Sequence, residues 1–222
     1  MIKAVIFDLD GTILNTITTI THFVNQTLQK YNILPITEDE CKTFIGDGAR
    51  KLIERSLDSK GALTEELLGK ILPEYNAAYD ENPFHLTVPY EGIPELLSLL
   101  KSRGVKLGVI SNKPHPTTVS AVAHFYPETF DVVLGGREGV PLKPATSAAE
   151  MMLSELGVSA GEVIYVGDIG VDMLFGKAFG AAHTLGAGWG FRSEAELLSA
   201  GADCVFMDAP SMEQYILKVI KK

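Results

Sequence analysis

The sequence is poor in cysteine, with two in 222 residues. Cys41 and Cys204 stand far apart and form no CxxC pair. This usage predicts reduced thiols in a cytoplasmic protein rather than a disulfide framework. No spacing of histidine and cysteine supports a thiolate metal site either.

Positive charge is also scarce, because 19 lysine and arginine residues face 28 acidic ones and the formal net charge is −9. No basic stripe is present to replace the counterions of a nucleic acid, so we expect no nucleic-acid partner. An anionic substrate would instead need locally placed cations or a metal ion. The candidate cations are Arg50, Lys113, Arg137 and Lys143.

Long apolar runs are missing, since none approaches the roughly 18 residues that suggest a membrane helix. The apolar run at Lys3–Phe7 is too short and wrongly flanked for a secretory signal. We therefore expect no membrane partner and a cytoplasmic location, with the chain acting as a monomer or a homodimer.

Short apolar runs rich in β-branched residues predict buried strands, and helical periodicity lies between them. The predicted strands cover 4–7, 105–110, 131–134, 162–166, 183–185 and 203–206. The predicted helices cover 93–103, 117–124, 147–156, 171–179, 194–200 and 212–220. This alternation predicts an α/β fold with a doubly wound parallel sheet that is buried on both faces.

One segment breaks the alternation, because residues 15–83 show helical periodicity without a convincing strand. Thr37 followed by Glu40 predicts a capping box, and Thr64 predicts the start of another helix. We therefore predict an inserted α-helical cap domain at 15–83 and a catalytic core formed by 1–14 and 84–222.

Four polar motifs follow predicted strands, where ligands bind in sheets of this kind. They are Asp8-Leu9-Asp10-Gly11-Thr12, Ser111-Asn112-Lys113, Lys143-Pro144 and Gly167-Asp168, the last with Asp172 four residues later. Each alone is commonly a turn, a helix cap or a surface dipeptide. Together they predict one site at one edge of the sheet.

The predicted site gathers the carboxylates of Asp8, Asp10, Asp168 and Asp172, whose mutual repulsion requires a cation. An acidic, oxygen-lined cluster suits the hard ion Mg²⁺. Mg²⁺ and Lys143 would also offset the repulsion between a carboxylate and a phosphate.

The same motifs predict phosphate-ester chemistry. Asp8 is the natural nucleophile and would form an aspartyl-phosphate. Asp10 would protonate the leaving oxygen and then activate water to hydrolyse that intermediate. Ser111 and the backbone N–H groups beside it would hold phosphate oxygens.

The four motifs in this order resemble the haloacid dehalogenase superfamily, over nearly the whole chain. The resemblance implies a Rossmannoid core with a helical cap, Mg²⁺ as cofactor and a small phosphorylated metabolite as substrate. It implies Mg²⁺ ligands at the Asp8 carboxylate, the Asp10 main-chain carbonyl, Asp168 and Asp172. It implies phosphate binding by Ser111 and Lys143 and support of Asp10 by Thr12. Thr12, Ser111 and Asn112 are accordingly predicted to bind substrate.

A narrower resemblance concerns the phosphoglycolate phosphatases, and rests on residues 89–94, 111–114, 188–192 and 201–203. It implies that 2-phosphoglycolate is the substrate and that residues 46–50, a loop of the cap, determine the specificity for it. Arg50 is the candidate in that loop for binding a carboxylate or phosphate. A solvated helix start is an equally good interpretation of Arg50.

Other functions stay open at this point. Asp10 argues against the dehalogenases of the superfamily, which lack a second aspartate. A phosphomutase or pyrophosphatase is the enzymatic alternative, although Ile20 stands where mutases often have histidine and His22 is out of step. A non-catalytic protein that binds a phosphate ligand is the remaining alternative. Ile169 and Asn15 depart from the family pattern, and residues 143–146 lack its usual second proline, but no catalytic group is removed.

Overall fold

A computed structural model describes residues 1–220, and the chain divides into two compact units. The first unit contains residues 1–15 together with the chain from 89 onward, and the second contains Thr16–Val88. The prediction placed 84–88 with the core. The structure places them in the second unit, where Thr19 donates a hydrogen bond to the His85 carbonyl and also bonds the Thr87 hydroxyl.

The first unit is built on a six-stranded parallel sheet with the order β5-β4-β1-β6-β7-β8. In chain order the strands are β1 (Ala4–Phe7), β2 (Leu14–Asn15), β3 (Val88–Pro89), β4 (Lys106–Pro114), β5 (Val132–Gly136), β6 (Val163–Gly167), β7 (His183–Ala187) and β8 (Cys204–Phe206). The two short strands, β2 and β3, lie where the chain passes between the units. The predicted doubly wound α/β fold is confirmed.

Helices separate the strands of this sheet. Those of the second unit are α1 (Ile17–Lys30), α2 (Glu38–Phe44), α3 (Ala49–Ser59) and α4 (Glu65–Glu81). Those of the first unit are α5 (Ile93–Ser102), α6 (His115–Phe125), α7 (Ser147–Leu156), α8 (Gly170–Ala178), α9 (Glu194–Ser199) and α10 (Ala209–Ile220). None of these helices, within residues 1–220, has the length and apolarity that crossing a bilayer takes.

The central strands of the sheet are buried and closely packed. Every residue of β1 is fully buried, as expected for a strand covered by helices on both faces. A glycine in β4 lets helix α7 approach closely, because a Cβ on Gly108 would lie 2.6 Å from the sulfur of Met152. The central strands therefore lie within a close-packed core.

Strand β4 is longer than predicted. The sequence placed its end at Ile110, but the strand continues to Pro114. Its pairing with β5 resumes at Pro114 and Gly136 after an irregularity that begins at Ile110. The motif Ser111-Asn112-Lys113 therefore belongs to an irregular strand end, which polar residue types concealed in the sequence.

The second unit is helical, with its aromatic core formed by Phe23, Tyr75 and Tyr79. The predicted capping box is present: the Thr37 hydroxyl accepts from the Glu40 N–H at 3.1 Å, and the Glu40 carboxylate accepts from the Thr37 N–H at 2.7 Å. The Thr64 hydroxyl caps α4 by accepting from the Leu67 N–H.

Removing the α2 cap tests this local arrangement. Thr37→Ala should lower the free energy of unfolding by about 1 kcal/mol, because a helix N–H loses its acceptor. Thr37→Ser should retain most of the stability. Chemical denaturation followed by circular dichroism measures both variants, and an unchanged midpoint for Thr37→Ala would show that the box contributes nothing.

Candidate active site

A buried lysine lies at the centre of the polar groups at the carboxyl edge of the sheet. The Lys143 ammonium donates to the carboxylates of Asp8 and Asp172, each at 2.7 Å. Its nitrogen also lies 3.1 Å from both the Tyr165 hydroxyl oxygen and the Ile110 carbonyl oxygen, so its third N–H is shared between them. The chain thus brings together groups from β1, β4, β6, α8 and the loop after β5, as the motif order predicted.

The carboxylates around this lysine form a compact group. Oxygens of Asp8, Asp168 and Asp172 all lie within 4.8 Å of one another, and all three residues are buried. The Asp10 carboxylate is not part of this group. The prediction assigned Asp10 to the metal through its main-chain carbonyl, so the position of its side chain leaves that assignment untested.

Burial and crowding set the protonation of the group. Desolvation raises the pKa of Asp8 to about 7, against the lowering effect of Lys143 and with a further rise from Asp172. Desolvation likewise raises the pKa of Asp168 well above its ordinary value, and the charges of Asp172 and Asp8 add to the rise. Burial by itself would lower the pKa of Lys143, but the two carboxylates it contacts raise it instead. The lysine is therefore held as a cation.

A divalent cation fits this group. One ammonium faces three buried carboxylates, so negative charge remains in excess and the pKa values of Asp8 and Asp168 rise. Mg²⁺ prefers carboxylate and carbonyl oxygens. Bound among these oxygens, such an ion would remove the remaining repulsion.

Asp168 is oriented by two donors that sequence reasoning did not place. It accepts from the Thr12 hydroxyl at 2.9 Å and from the Phe191 N–H at 2.9 Å. The resemblance assigned Thr12 to Asp10 and to the substrate. Thr12 is fully buried, and its hydroxyl bond instead orients Asp168 from 156 residues away.

Asp172 caps the start of helix α8. Its second oxygen accepts from the N–H groups of Asp168 and Ile169, both at 3.2 Å. The carboxylate therefore reaches back over the first turn of α8 while its other oxygen holds Lys143. A capping carboxylate is also stabilised by the helix dipole.

A glycine makes the first motif possible. Gly11 has a φ of 86°, and a Cβ at this position would overlap the Asp168 carboxylate. Only glycine satisfies both conditions, so the chain turns tightly after Asp10 while Asp168 packs directly against the turn.

Asp10 has a separate partner, Lys113. The Lys113 ammonium lies 3.2 and 3.3 Å from the two Asp10 oxygens. Both side chains are largely shielded, with 9% of Lys113 and 13% of Asp10 exposed. The sequence identified Lys113 only as one candidate cation among several and gave no sign of this pairing.

The two residues before Lys113 make different hydrogen bonds. The Ser111 hydroxyl accepts from the Lys113 N–H at 3.2 Å, and Ser111 is buried at the site edge. The Asn112 amide holds the main chain of Lys143, accepting from its N–H at 2.8 Å and donating to its carbonyl at 3.2 Å. Asn112 was predicted to bind substrate, and these contacts indicate that it positions Lys143.

Tyr165 was missed altogether. Its hydroxyl donates to Asp172 at 3.0 Å and accepts from Lys143, and the residue is fully buried in β6. One signal was available, namely a phenol within an otherwise aliphatic buried strand, since a buried hydroxyl needs a partner.

Arg50 and His115 each have a partner of their own. Arg50 belongs to the second unit, where it is exposed and lies 3.3 Å from Glu65. The His115 ring accepts from the Gly135 N–H and contacts Arg137, as a structural turn would.

The indole of Trp189 donates to the Thr12 carbonyl at 3.0 Å. This bond ties the glycine-rich loop that contains Trp189 to the first motif.

Comparison with known proteins identifies the family of the chain. Residues 5–185 match the model of the haloacid dehalogenase-like hydrolases. The chain is 31% identical to a phosphoglycolate phosphatase of Haemophilus influenzae, over 93% of this chain and 94% of that protein. It is also 31% identical to a phosphoglycolate phosphatase of Rhodospirillum rubrum, over 97% of this chain and 91% of the relative. A crystal structure from Lactobacillus delbrueckii subsp. bulgaricus has a TM-score of 0.92 at 29% identity, covering 96% of this chain and 98% of that one.

The chain therefore belongs to the haloacid dehalogenase-like hydrolase family, which confirms the resemblance drawn from the four motifs. Within that family it is an enzyme of the phosphatase class.

Breaking the central ion cluster should destabilise the metal-free protein. Lys143→Met leaves Asp8 and Asp172 buried without their cation, so we expect the free energy of unfolding to fall by about 3–5 kcal/mol. Denaturation in EDTA measures the loss.

Tyr165→Phe is the matched control, because it removes a single hydrogen-bonding group from the same cluster while Lys143 remains. It should cost clearly less, about 1.5–3 kcal/mol. Equal losses in the two variants would contradict the central place of the Lys143 charge.

Proposed function

We propose that this enzyme is a Mg²⁺-dependent phosphatase that hydrolyses a small phosphate monoester, 2-phosphoglycolate in the first place, through an aspartyl-phosphate on Asp8. The single observation that carries the proposal is the contact of one buried ammonium, Lys143, with Asp8 at 2.7 Å inside a group of three carboxylates. A carboxylate held in this way is poised at a site that can accept an anionic ester.

The metal would be held by the carboxylates of Asp8, Asp168 and Asp172, together with the main-chain carbonyl of Asp10. When bound, Mg²⁺ supplies positive charge that offsets the charges of the nucleophile and of the phosphate. The hydrogen bonds from Thr12 and from the Phe191 N–H to Asp168 support this role, because they orient a ligand from outside the ligand set.

In the first step an Asp8 oxygen attacks phosphorus, so an O–P bond to Asp8 forms as the bond from phosphorus to the ester oxygen breaks. Asp10 gives its proton to the departing oxygen, which leaves as an alcohol. In the second step Asp10, now a carboxylate, takes a proton from water as the water attacks phosphorus. Asp8 is released as a carboxylate, and inorganic phosphate departs.

The remaining groups hold the phosphate and the nucleophile in line. Lys143 favours the ionised form of Asp8, because its charge and hydrogen bond lower a pKa that burial raises. Asn112 fixes the main chain of Lys143 and Tyr165 fixes its ammonium. Ser111, buried at the end of β4, would bind a phosphate oxygen through its hydroxyl. Holding the reactants in this geometry lowers the entropic part of the barrier.

The proposal of 2-phosphoglycolate rests on the two relatives at 31% identity that carry that activity in their names. We also propose that the helical unit Thr16–Val88 is the cap that contributes to substrate selection. Arg50 is retained as a candidate for that selection, although its exposed pair with Glu65 contributes little by itself.

The nucleophile and metal are tested together. A panel of 2-phosphoglycolate, pyrophosphate and hexose phosphates is assayed with Mg²⁺, with EDTA and with Asp8→Asn. We expect hydrolysis of 2-phosphoglycolate to be fastest, and to be abolished both by EDTA and by Asp8→Asn, since each removes a group that the first step needs. Activity that survives either treatment would overturn the mechanism.

Asp10 has two proposed roles, as the acid for the leaving group and as the base for water. Substrates with different leaving groups separate these roles. For Asp10→Asn we expect turnover of alkyl phosphates to fall about 10²- to 10⁴-fold, the range for a lost general acid or base. Nitrophenolate leaves without a proton, so p-nitrophenyl phosphate should give a burst of one nitrophenolate per enzyme, followed by slow hydrolysis of the phosphoenzyme. Rapid-quench kinetics measures the burst, and equal slowing of both substrates without a burst would refute the division of roles.

A further inference from the structure

We propose that Lys113 determines specificity for negative charge on the leaving group, so that the enzyme prefers phosphate esters whose alcohol carries a carboxylate close to the ester oxygen. The inference rests on the proposed function, in particular on Asp10 as the acid. Neither the family match nor the named relatives assign a role to this lysine.

The first step of the argument is where Asp10 places the leaving group. A general acid lies within about 2.6–3.2 Å of the atom it protonates, so the ester oxygen lies beside the Asp10 carboxylate. The Lys113 ammonium contacts both oxygens of that carboxylate at 3.2 and 3.3 Å. The ammonium and the ester oxygen therefore share one carboxylate and lie within about 6 Å of each other, two hydrogen-bond lengths.

The second step concerns reach. In 2-phosphoglycolate a single methylene separates the ester oxygen from the carboxylate, so the carboxylate lies on the leaving-group side. A lysine at this distance lies in range of that carboxylate, because opposite charges within about 4–6 Å interact strongly. Arg50, in contrast, is 58% exposed and already bound to Glu65, an arrangement that solvent screens strongly.

The third step is charge. Lys143 is committed to Asp8 and Asp172, which belong to the nucleophile side of the site. A substrate carboxylate would add a negative charge beside Asp10. With 9% of its side chain exposed, Lys113 interacts with such a charge in a poorly screened environment, where an ion pair is stronger than at the surface.

The lysine is also positioned firmly. Its N–H donates to Ser111, and its carbonyl accepts from the Thr118 hydroxyl at 3.1 Å. The neighbouring strand leaves no room there, because a Cβ on Gly135 would lie 2.8 Å from the Lys113 carbonyl. A fixed main chain restricts where the ammonium can go, which selectivity requires.

The competing interpretation is that Lys113 acts only on Asp10. The two interpretations differ in one respect. A lysine that serves Asp10 alone affects every substrate equally, whereas a lysine that binds the substrate carboxylate affects only substrates that have one.

The experiment compares 2-phosphoglycolate with 2-hydroxyethyl phosphate, in which a neutral hydroxymethyl group replaces the carboxylate. For Lys113→Met we expect kcat/KM for 2-phosphoglycolate to fall about 30- to 100-fold, because the substrate carboxylate loses its ion pair. For 2-hydroxyethyl phosphate the fall should be at least about tenfold smaller, because only the effect of the lost contact with Asp10 remains. Lys113→Arg should restore most of the preference, because the charge returns.

Arg137→Met is the matched control for the loss of one positive charge. Arg137 is exposed, follows β5 and contacts His115, so its removal should leave the ratio of the two kcat/KM values unchanged. An equal fall for both substrates in Lys113→Met would assign the lysine to Asp10 alone, and no fall for either would leave it without a role. Both results overturn the proposal.

A binding measurement separates this inference from the proposed function. In an Asp8→Asn background with Mg²⁺, calorimetry gives the Kd of both esters without turnover. Lys113→Met should weaken 2-phosphoglycolate at least tenfold and leave 2-hydroxyethyl phosphate unchanged, even if the enzyme hydrolyses other esters faster. Absence of binding by 2-phosphoglycolate, or an equal loss for both esters, would overturn the role of Lys113.

Discussion

The structure depends on the contact between the Lys143 ammonium and two buried carboxylates, Asp8 and Asp172. A lone buried ion costs several kcal/mol to desolvate, and no single strand end could stabilise one. The cluster forms only when β1, β6, α8 and the loop after β5 are all in place. The parallel sheet is therefore what makes the site possible, because it brings residues 135 positions apart in the chain into hydrogen-bonding distance.

This arrangement also leaves a charge imbalance that a divalent cation would offset. One ammonium faces three buried carboxyl groups, and desolvation raises the pKa of Asp8 to about 7. Further lysines would neutralise the group, but they would also remove the negative charge that a metal ion needs. Groups with raised pKa values cluster at functional sites, so the imbalance supports the proposed role of this group.

Much of this was predictable from the sequence, and the limits are physical. Apolar runs predicted the strands, because a strand that is buried on both faces must be apolar. The order of the motifs predicted that the site residues converge at one edge of the sheet. The partners of Thr12, Asn112 and Tyr165 were not predictable, since each hydrogen bond joins side chains that only the folded sheet brings together. The end of β4 was not predictable for a related reason. Its last residues are polar and lie at the site, so an apolar pattern could not show them.

The two aspartates of the first motif show how one turn creates two environments. Asp8 lies in the lysine-centred cluster, deeply buried, whereas Asp10 lies outside that carboxylate group and contacts Lys113. In the proposed mechanism the first aspartate attacks phosphorus and the second transfers a proton, so the two carboxylates need different surroundings. Strand β1 ends at Phe7, so the two aspartates do not continue one extended strand. Gly11 then turns the chain tightly and lets Asp168 pack against the turn. Separate partners for neighbouring carboxylates are what such a division of roles requires.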